Sequence, residues 1–419
     1  MIWRDGELKN PFTGKLLERD SAHSFSSGAT RFPMIDEIPF LRIGREKLSA
    51  EALRALDLKD KRAALILLLQ DQDDWATTPP PAENDLEPLF SDQNYTLRAA
   101  MQCLKYGAVA DYFAYRWSDP TFLSGLGLLE WHLPPDAQNV FELCCGIGHY
   151  LREMQLRGIA ATGADVVFSK LWLARKFVAP EAKLVCVDAN FALPFADNAF
   201  AAAFCHDAFY FLPKKKHVAA ELKRVATDAV LIGHAHNAEA DNFSSGAAIS
   251  TAEYVEIVRT AGDNGRFSSN PLSPATRAGD SDLVLYDDEE LTRSIIENRQ
   301  PQTQTAQELQ TRAAIALVAL MRQPAKSELQ RSFSLPLSGR SLSLNSLLQD
   351  ENGQVLNSPR FPSERYENEY ASLSDYLYLK NETVTFADKT KASGGDWHSD
   401  KRQTDFARRR IFVDLPEGW

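Results

Sequence analysis

The stretch from Asn139 to Tyr150, Asn-Val-Phe-Glu-Leu-Cys-Cys-Gly-Ile-Gly-His-Tyr, constrains the fold more than any other part of the chain. An apolar run carries an acid near its end, glycines follow at 146 and 148, and a helical pattern begins at His149. The pattern predicts a strand, a tight turn and a helix start, with Glu142 at the carboxyl end of the strand. Glycine lets the backbone approach a ligand closely and adopt conformations that a Cβ forbids. A helix N-terminus alone welcomes an anion. A carboxylate placed beside it favours a ligand that carries positive charge.

A nucleotide pocket needs a second acid about 20 residues on, at the end of the next strand, for ribose hydroxyls. Asp165 stands 23 positions after Glu142, closing Ala160-Ala161-Thr162-Gly163-Ala164-Asp165. A helix fills the interval and stops at Gly158, and a second helix runs from Ser169 to Phe177. A third short strand, Lys183 to Val187, ends in Asp188. A fourth covers Ala201 to Cys205; a helix from His217 to Val225 leads to a fifth, Ala229 to Gly233. Strands alternating with helices predict an α/β fold, a doubly wound and mostly parallel sheet with its ligand outside the carboxyl ends of the strands. Taken singly, a strand-end acid is equally a solvated residue. Three in succession point to a ligand.

This succession resembles the class I S-adenosylmethionine (SAM) dependent methyltransferases, in particular those with a "D…LPF.D..F" turn, here Asp188 followed by Leu193-Pro194-Phe195-Ala196-Asp197-Asn198-Ala199-Phe200. The resemblance covers roughly residues 93–262 and implies a Rossmann-like domain. SAM carries an ammonium and a sulfonium, both of which gain from the Glu142 carboxylate. The resemblance implies that Glu142, Cys144, Gly146 and Gly148 hold the methionine half of SAM, with His206 shaping that end. It implies that Asp165 takes the ribose hydroxyls, that Val166 lies under the adenine, and that Asp188 and Ala189 meet its amino edge. Cys144 replaces the first glycine of the family turn, and Ala201 replaces an acid that the family carries after Phe200. A nicotinamide site would need G-x-G-x-x-G; counted from Gly146, that pattern puts Leu151 where the third glycine belongs.

For the reacting groups, His206 follows the fourth strand, and His234 and His236 follow the fifth, in a chain with eight histidines. These three are the catalytic candidates, since a histidine of near-neutral pKa is the usual general base. Such a cluster could also take a divalent ion, although the sequence assigns no metal. The function expected is methyl transfer to a small or medium-sized metabolite, with oxygen ahead of nitrogen or carbon as acceptor. The competing readings are methylation of a macromolecule, RNA or protein, and a non-catalytic or redox use of the nucleotide fold.

Composition narrows the partners. Acids outnumber bases 57 to 46, for a formal net charge of −11, and a binder of nucleic acid usually shows a basic footprint. Lys214 to Lys216 and Arg408 to Arg410 are only short basic runs. No apolar run reaches the roughly 18 residues of a membrane span. Four of the five cysteines fall in or beside predicted core strands, the distribution of reduced thiols. A cytoplasmic location is the expectation.

On either side the chain changes character. Residues 1–43 resemble the zinc-ribbon module that precedes some methyltransferases, through Thr30 to Leu41. Asn10, Thr13, Phe25 and Gly28 stand where that module has cysteines, which implies a ribbon without its metal; the alternative is an irregular β-rich arm packed on the main domain. Residues 44–92 read as a helical linker, with a helix from Ser49 to Gln70 and a break at Pro79-Pro80-Pro81. Residues 263–419 read as an α+β extension that caps the acceptor pocket or joins copies of the chain. Within it, Gly262 to Asp280 reads as a loop, Ala306 to Met321 as a helix, and Arg410 to Leu415 as a strand.

Overall fold

The computed structural model describes residues 2–92, 94–242, 246–262, 282–322, 332–351, 354–356, 359–372 and 383–419. Its centre is a sheet of seven strands: β5 (Asn139–Leu143), β6 (Ala160–Asp165), β7 (Lys183–Cys186), β8 (Phe200–His206), β9 (Ala226–His236), β10 (Asp282–Asp287) and β11 (Ala314–Leu320). Across the sheet the order is β10-β11-β9-β8-β5-β6-β7. The first five pair in parallel, and β11 runs antiparallel to both of its neighbours. The doubly wound α/β expectation holds. Strand order reverses beside β5, so its carboxyl end opens onto the crevice where such sheets bind ligands.

Successive side chains of a strand point to opposite faces, and here both faces are apolar. Val140, Phe204, Leu231 and Val318 pack with the helices Pro120–His132 and His149–Leu156. Phe141, Cys205, Ile232 and Leu317 pack with the helices Lys215–Val225 and Thr251–Thr260. This two-sided burial explains one departure from expectation. Residues 306–321 hold no long helix; their apolar run Ala314–Leu320 is β11, buried on both sides, and such runs lose the alternation that marks a half-exposed strand. The sheet also continues beyond residue 262, because β10 and β11 belong to it. The change of composition after Gly262 therefore does not end the core. Of the loop expected at Gly262 to Asp280, residues 263–280 lie outside the described residues.

The amino-terminal arm is a four-stranded antiparallel sheet, β1 (Glu18–Ser21), β2 (Ser24–Ser27), β3 (Thr30–Ile35) and β4 (Ile38–Pro39). It covers the open edge of β7: Leu41 N donates to Cys186 O at 2.8 Å, and Trp3 Nε1 to Leu184 O at 2.9 Å. An uncovered edge invites pairing with another chain. Asn10 Oδ1 accepts the N–H groups of Phe12 and Thr13, and Phe25 is core. The helix expected from Ser49 to Gln70 is two, Glu46–Asp57 and Lys61–Leu69, broken where Lys59 takes a φ of 65°. At the other end, Arg152 is buried on the core helix His149–Leu156 and pairs with Asp414 at 2.8 Å. That pair docks the last residues of the chain on the sheet layer.

Candidate active site at the strand ends

The glycine loop leaves β5 through three left-handed residues, Cys144 (φ 56°), Gly146 (φ 54°) and Gly148 (φ 86°). A Cβ on Gly148 would stand 3.2 Å from that of Ala179 and 3.3 Å from that of Ala174, so the loop packs there only as glycine. Cys144 adopts the same region with a side chain, at a cost of order 1–3 kcal/mol that the surrounding structure must absorb.

The three acids stand at or just past the carboxyl ends of β5, β6 and β7. Glu142, on β5, is buried, and its Oε2 has no hydrogen-bond partner. Burial pushes its carboxyl well above the ordinary range, and a ligand cation beside it would favour the ionised form. Asp165, at the end of β6, accepts Gly146 N–H at 3.0 Å and Val167 N–H at 2.9 Å. Its carboxylate is thereby aimed before any ligand arrives. Val166 follows it, half-buried, and Asp188 holds the turn after β7 by accepting from the backbone and side-chain amides of Asn190, both at 2.9 Å. Ala189 is buried beside it.

Further residues close this end of the sheet. Lys170 Nζ lies 3.8 Å from both Asp165 and Asp73, and although burial opposes its charge, the two carboxylates hold its pKa above the ordinary value. Phe113 lies over Gly146 and packs edge-on against Tyr106, whose hydroxyl is 2.8 Å from Ser169 Oγ. Asp73 comes from the segment between the second linker helix and the proline run. Only the folded chain brings it to the loop.

The three histidines take three different environments. His206 is buried, with Nδ1 3.2 Å from the Tyr150 hydroxyl and Nε2 3.2 Å from that of Ser124. Burial lowers its pKa to about 3. Both nitrogens are committed inward, between two core helices, which leaves neither for the catalytic or the cofactor role expected of it. His234 faces Asp288, with Nδ1 2.8 Å from Oδ2. Burial opposes its charge, but Asp288 and Asp207 outweigh burial and raise its pKa to about 9. At neutral pH it is a cation, a donor and not the general base expected. His236 stacks on Tyr210 with centroids 3.8 Å apart, and burial with the neighbouring His234 lowers its pKa to about 4. It is uncharged at neutral pH.

Asp207 completes this group. Arg116 Nη2 lies 2.6 Å from its Oδ2, and the Tyr210 hydroxyl donates to Oδ1 at 3.1 Å. Burial works against its charge and Arg116 more than compensates, so its carboxylate titrates below the ordinary range. Asp207 and His234 both have left-handed backbones, with φ of 51° and 49°. A bulge in β9 allows the second: Ile232 and Ala235 pair with Leu317 and Ile315, so Gly233 and His234 together oppose the single residue Ala316. Bulges of this kind re-aim side chains beside active sites.

The carboxyl-terminal extension reaches the same place. The Tyr370 hydroxyl is 3.0 Å from Thr121 Oγ1 and accepts from Arg116 at 3.4 Å, and the Tyr112 hydroxyl donates to Glu369 at 2.7 Å. Among the described residues, no helix is long and apolar enough to cross a membrane.

Residues 141–231 match the family described as "Methyltransferase domain". No curated protein matches the chain. Among solved structures, it is similar to phosphoethanolamine N-methyltransferase 2 of Haemonchus contortus in complex with SAM, at 18% identity over 54% of this chain and 60% of that one, with a TM-score of 0.36. It is also similar to a TehB-like SAM-dependent methyltransferase of Corynebacterium glutamicum, at 15% identity over 52% of this chain and 99% of that one, with a TM-score of 0.34. The residues that match the methyltransferase-domain family run from β5 to β9 and carry the glycine loop and all three strand-end acids.

Proposed function

We propose that the protein transfers a methyl group from SAM to a small or medium-sized metabolite, with an oxygen as the preferred acceptor atom. The observation that carries the cofactor half is Glu142 Oε2, a buried oxygen without a partner beside a left-handed loop. A ligand ammonium would supply that partner and stabilise the ionised carboxylate. Gly146 and Gly148 would let the backbone approach the methionine end. Asp165 would accept from the ribose hydroxyls, with Val166 against the adenine and Asp188 and Ala189 at its amino edge. SAM supplies the electrophilic methyl group; the protein supplies in-line positioning and water exclusion, the main needs of such a transfer.

The acceptor half falls on Asp207, His234 and His236 as a unit. His206 is locked into the core, and a cationic His234 can stabilise an acceptor oxygen as it gains negative charge. The Glu364–Tyr370 helix supports a small acceptor and a capping role for the extension, because Glu369 and Tyr370 bond to Tyr112, Arg116 and Thr121 over this group. A macromolecular acceptor would need that contact to open.

Calorimetry with SAM and with NAD tests the cofactor, and tight NAD binding with none for SAM sinks the reading. Labelled methyl transfer from SAM into a panel of hydroxylated, amine and carbon-acid metabolites tests the acceptor. Label appearing in RNA or protein alone would move the assignment to a macromolecule.

A further inference from the structure

We propose that Asp207, His234 and His236 form a binding site for one divalent transition-metal ion. One potential ligand atom from each lies within 4.8 Å of the others, the one such group among the described residues. His234 Nε2 and Asp207 Oδ1 are 3.9 Å apart. That is too long for a hydrogen bond. Two donors that share a tetrahedral ion at about 2.0–2.2 Å stand roughly 3.3–3.6 Å apart, so a closure of a few tenths of an ångström brings this pair to an ion.

A second observation is independent of that spacing. The other nitrogen of His234, Nδ1, is 2.8 Å from the Asp288 carboxylate. Histidines that bind metal commonly present one nitrogen to the ion and the other to a carboxylate, which fixes the ring. Asp207 is oriented too, by Arg116 on one oxygen and the Tyr210 hydroxyl on the other. An oxygen that accepts one hydrogen bond keeps a second lone pair. The His236 ring is held flat against Tyr210. Each of the three candidate ligands therefore has a fixed orientation, and two of them are held by left-handed backbones that cost energy.

The charge balance also fits. Asp207 and Asp288 bring two carboxylates to His234, and Arg116 at Asp207 opposes them. Two imidazoles with one carboxylate favour zinc, iron(II), cobalt or manganese over magnesium or calcium, which prefer oxygen ligands alone. Three protein ligands leave coordination positions open. A bound acceptor oxygen could occupy one, and that consequence, unlike ion binding itself, rests on the methyl-transfer reading. Without an ion His234 holds its proton between two carboxylates, and an ion binding at Nε2 displaces that proton to solvent.

Full-length protein treated with a chelator and then titrated with Co(II) and Zn(II) distinguishes these. The expected result is one ion per chain by calorimetry, a visible Co(II) spectrum displaced by Zn(II), and a higher Tm with the ion. His236→Ala should abolish binding, Asp288→Asn should weaken it about 10–100-fold, and Cys103→Ser should leave it unchanged. No uptake by folded wild-type protein overturns the proposal, as does uptake by His236→Ala equal to that of wild type. Should His236→Ala fail to fold, the wild-type titration and its Tm shift decide alone. SAM binding measured on the same samples keeps the two readings apart, since an ion-free protein that binds SAM refutes only the metal site.

Discussion

His149 Nε2 lies 2.9 Å from the carbonyl oxygen of Phe113, which ties the residue after the last loop glycine to the helix that covers the loop. The ring also packs on Trp117, with centroids 4.4 Å apart. Loop and cover are thus one unit, and disturbing either should reach the cofactor. His149→Ala removes a buried hydrogen bond and an aromatic contact. The expected cost is about 2–4 kcal/mol of stability, read from urea unfolding, together with weaker SAM binding by calorimetry.

The same residue gives the fold a direction in pH. Burial holds the His149 pKa near 3, against an ordinary value of 6.5. Below pH 6.5 the unfolded chain takes up a proton that the folded chain refuses, so stability falls as pH drops from there toward 3. This group contributes at most about 1.4 kcal/mol per pH unit in that window. Thermal melts should show the decline, and His149→Gln should flatten it. Equal slopes in the two proteins would remove His149 as the cause.

Glu142 is the group whose charge depends on the ligand. Glu142→Ala should weaken SAM binding by roughly 1.5–3 kcal/mol, the range for a hydrogen bond to a charged group. Glu142→Gln keeps the shape without the charge and should also bind poorly. In wild-type protein, SAM binding should release a proton, because burial raises the pKa of the carboxyl and a ligand cation lowers it. Calorimetry in buffers of different ionisation enthalpy measures that release; its absence would mean that Glu142 does not meet the ligand cation.

Gly148 offers a test of the loop backbone. With φ at 86° and two Cβ atoms within 3.3 Å of the added carbon, Gly148→Ala should cost more than about 1 kcal/mol. SAM affinity should fall with it. A variant of wild-type Tm and affinity would show that the loop rearranges freely.

Arg152 and Asp414 test the docking of the carboxyl-terminal segment. Both are buried, and the guanidinium also donates to the carbonyls of Asp414 and Leu415, at 3.3 and 3.2 Å. Arg340 also holds the Asp414 carboxylate, at 2.9 and 3.0 Å, so Arg152→Ala should destabilise by less than the about 3–5 kcal/mol of a fully stranded buried charge. Limited proteolysis should then cut first near residues 410–419. Unchanged cleavage and an unchanged Tm would mean that the segment is held elsewhere.

What was legible in the sequence was local. Glu142, Asp165 and Asp188 could be placed because each stands near the end of an apolar run, and an apolar run bounded by turn residues reads as a strand wherever its neighbours lie. The glycines of the loop were legible for the same reason. The parallel core followed from the alternation of strands and helices. What failed was also physical. Residues 314–320 read as part of a helix because a strand buried on both faces has no polar face to show its period. The end of the core at 262 was misplaced because β10 and β11 join the sheet only through pairing with β9.

The histidines mark the boundary most sharply. The sequence put His206, His234 and His236 at adjacent strand ends, and there they are. It could not assign their charges, since a pKa depends on burial and on partners distant in the chain. Tyr150, which binds His206, is 56 positions away, and Asp288, which faces His234, is 54. Local pattern determined where these side chains begin. Tertiary packing alone decided that one is locked neutral in the core, one is a cation between two carboxylates, and one is an uncharged ring on Tyr210, because desolvation and charge–charge interactions act through space and not along the chain.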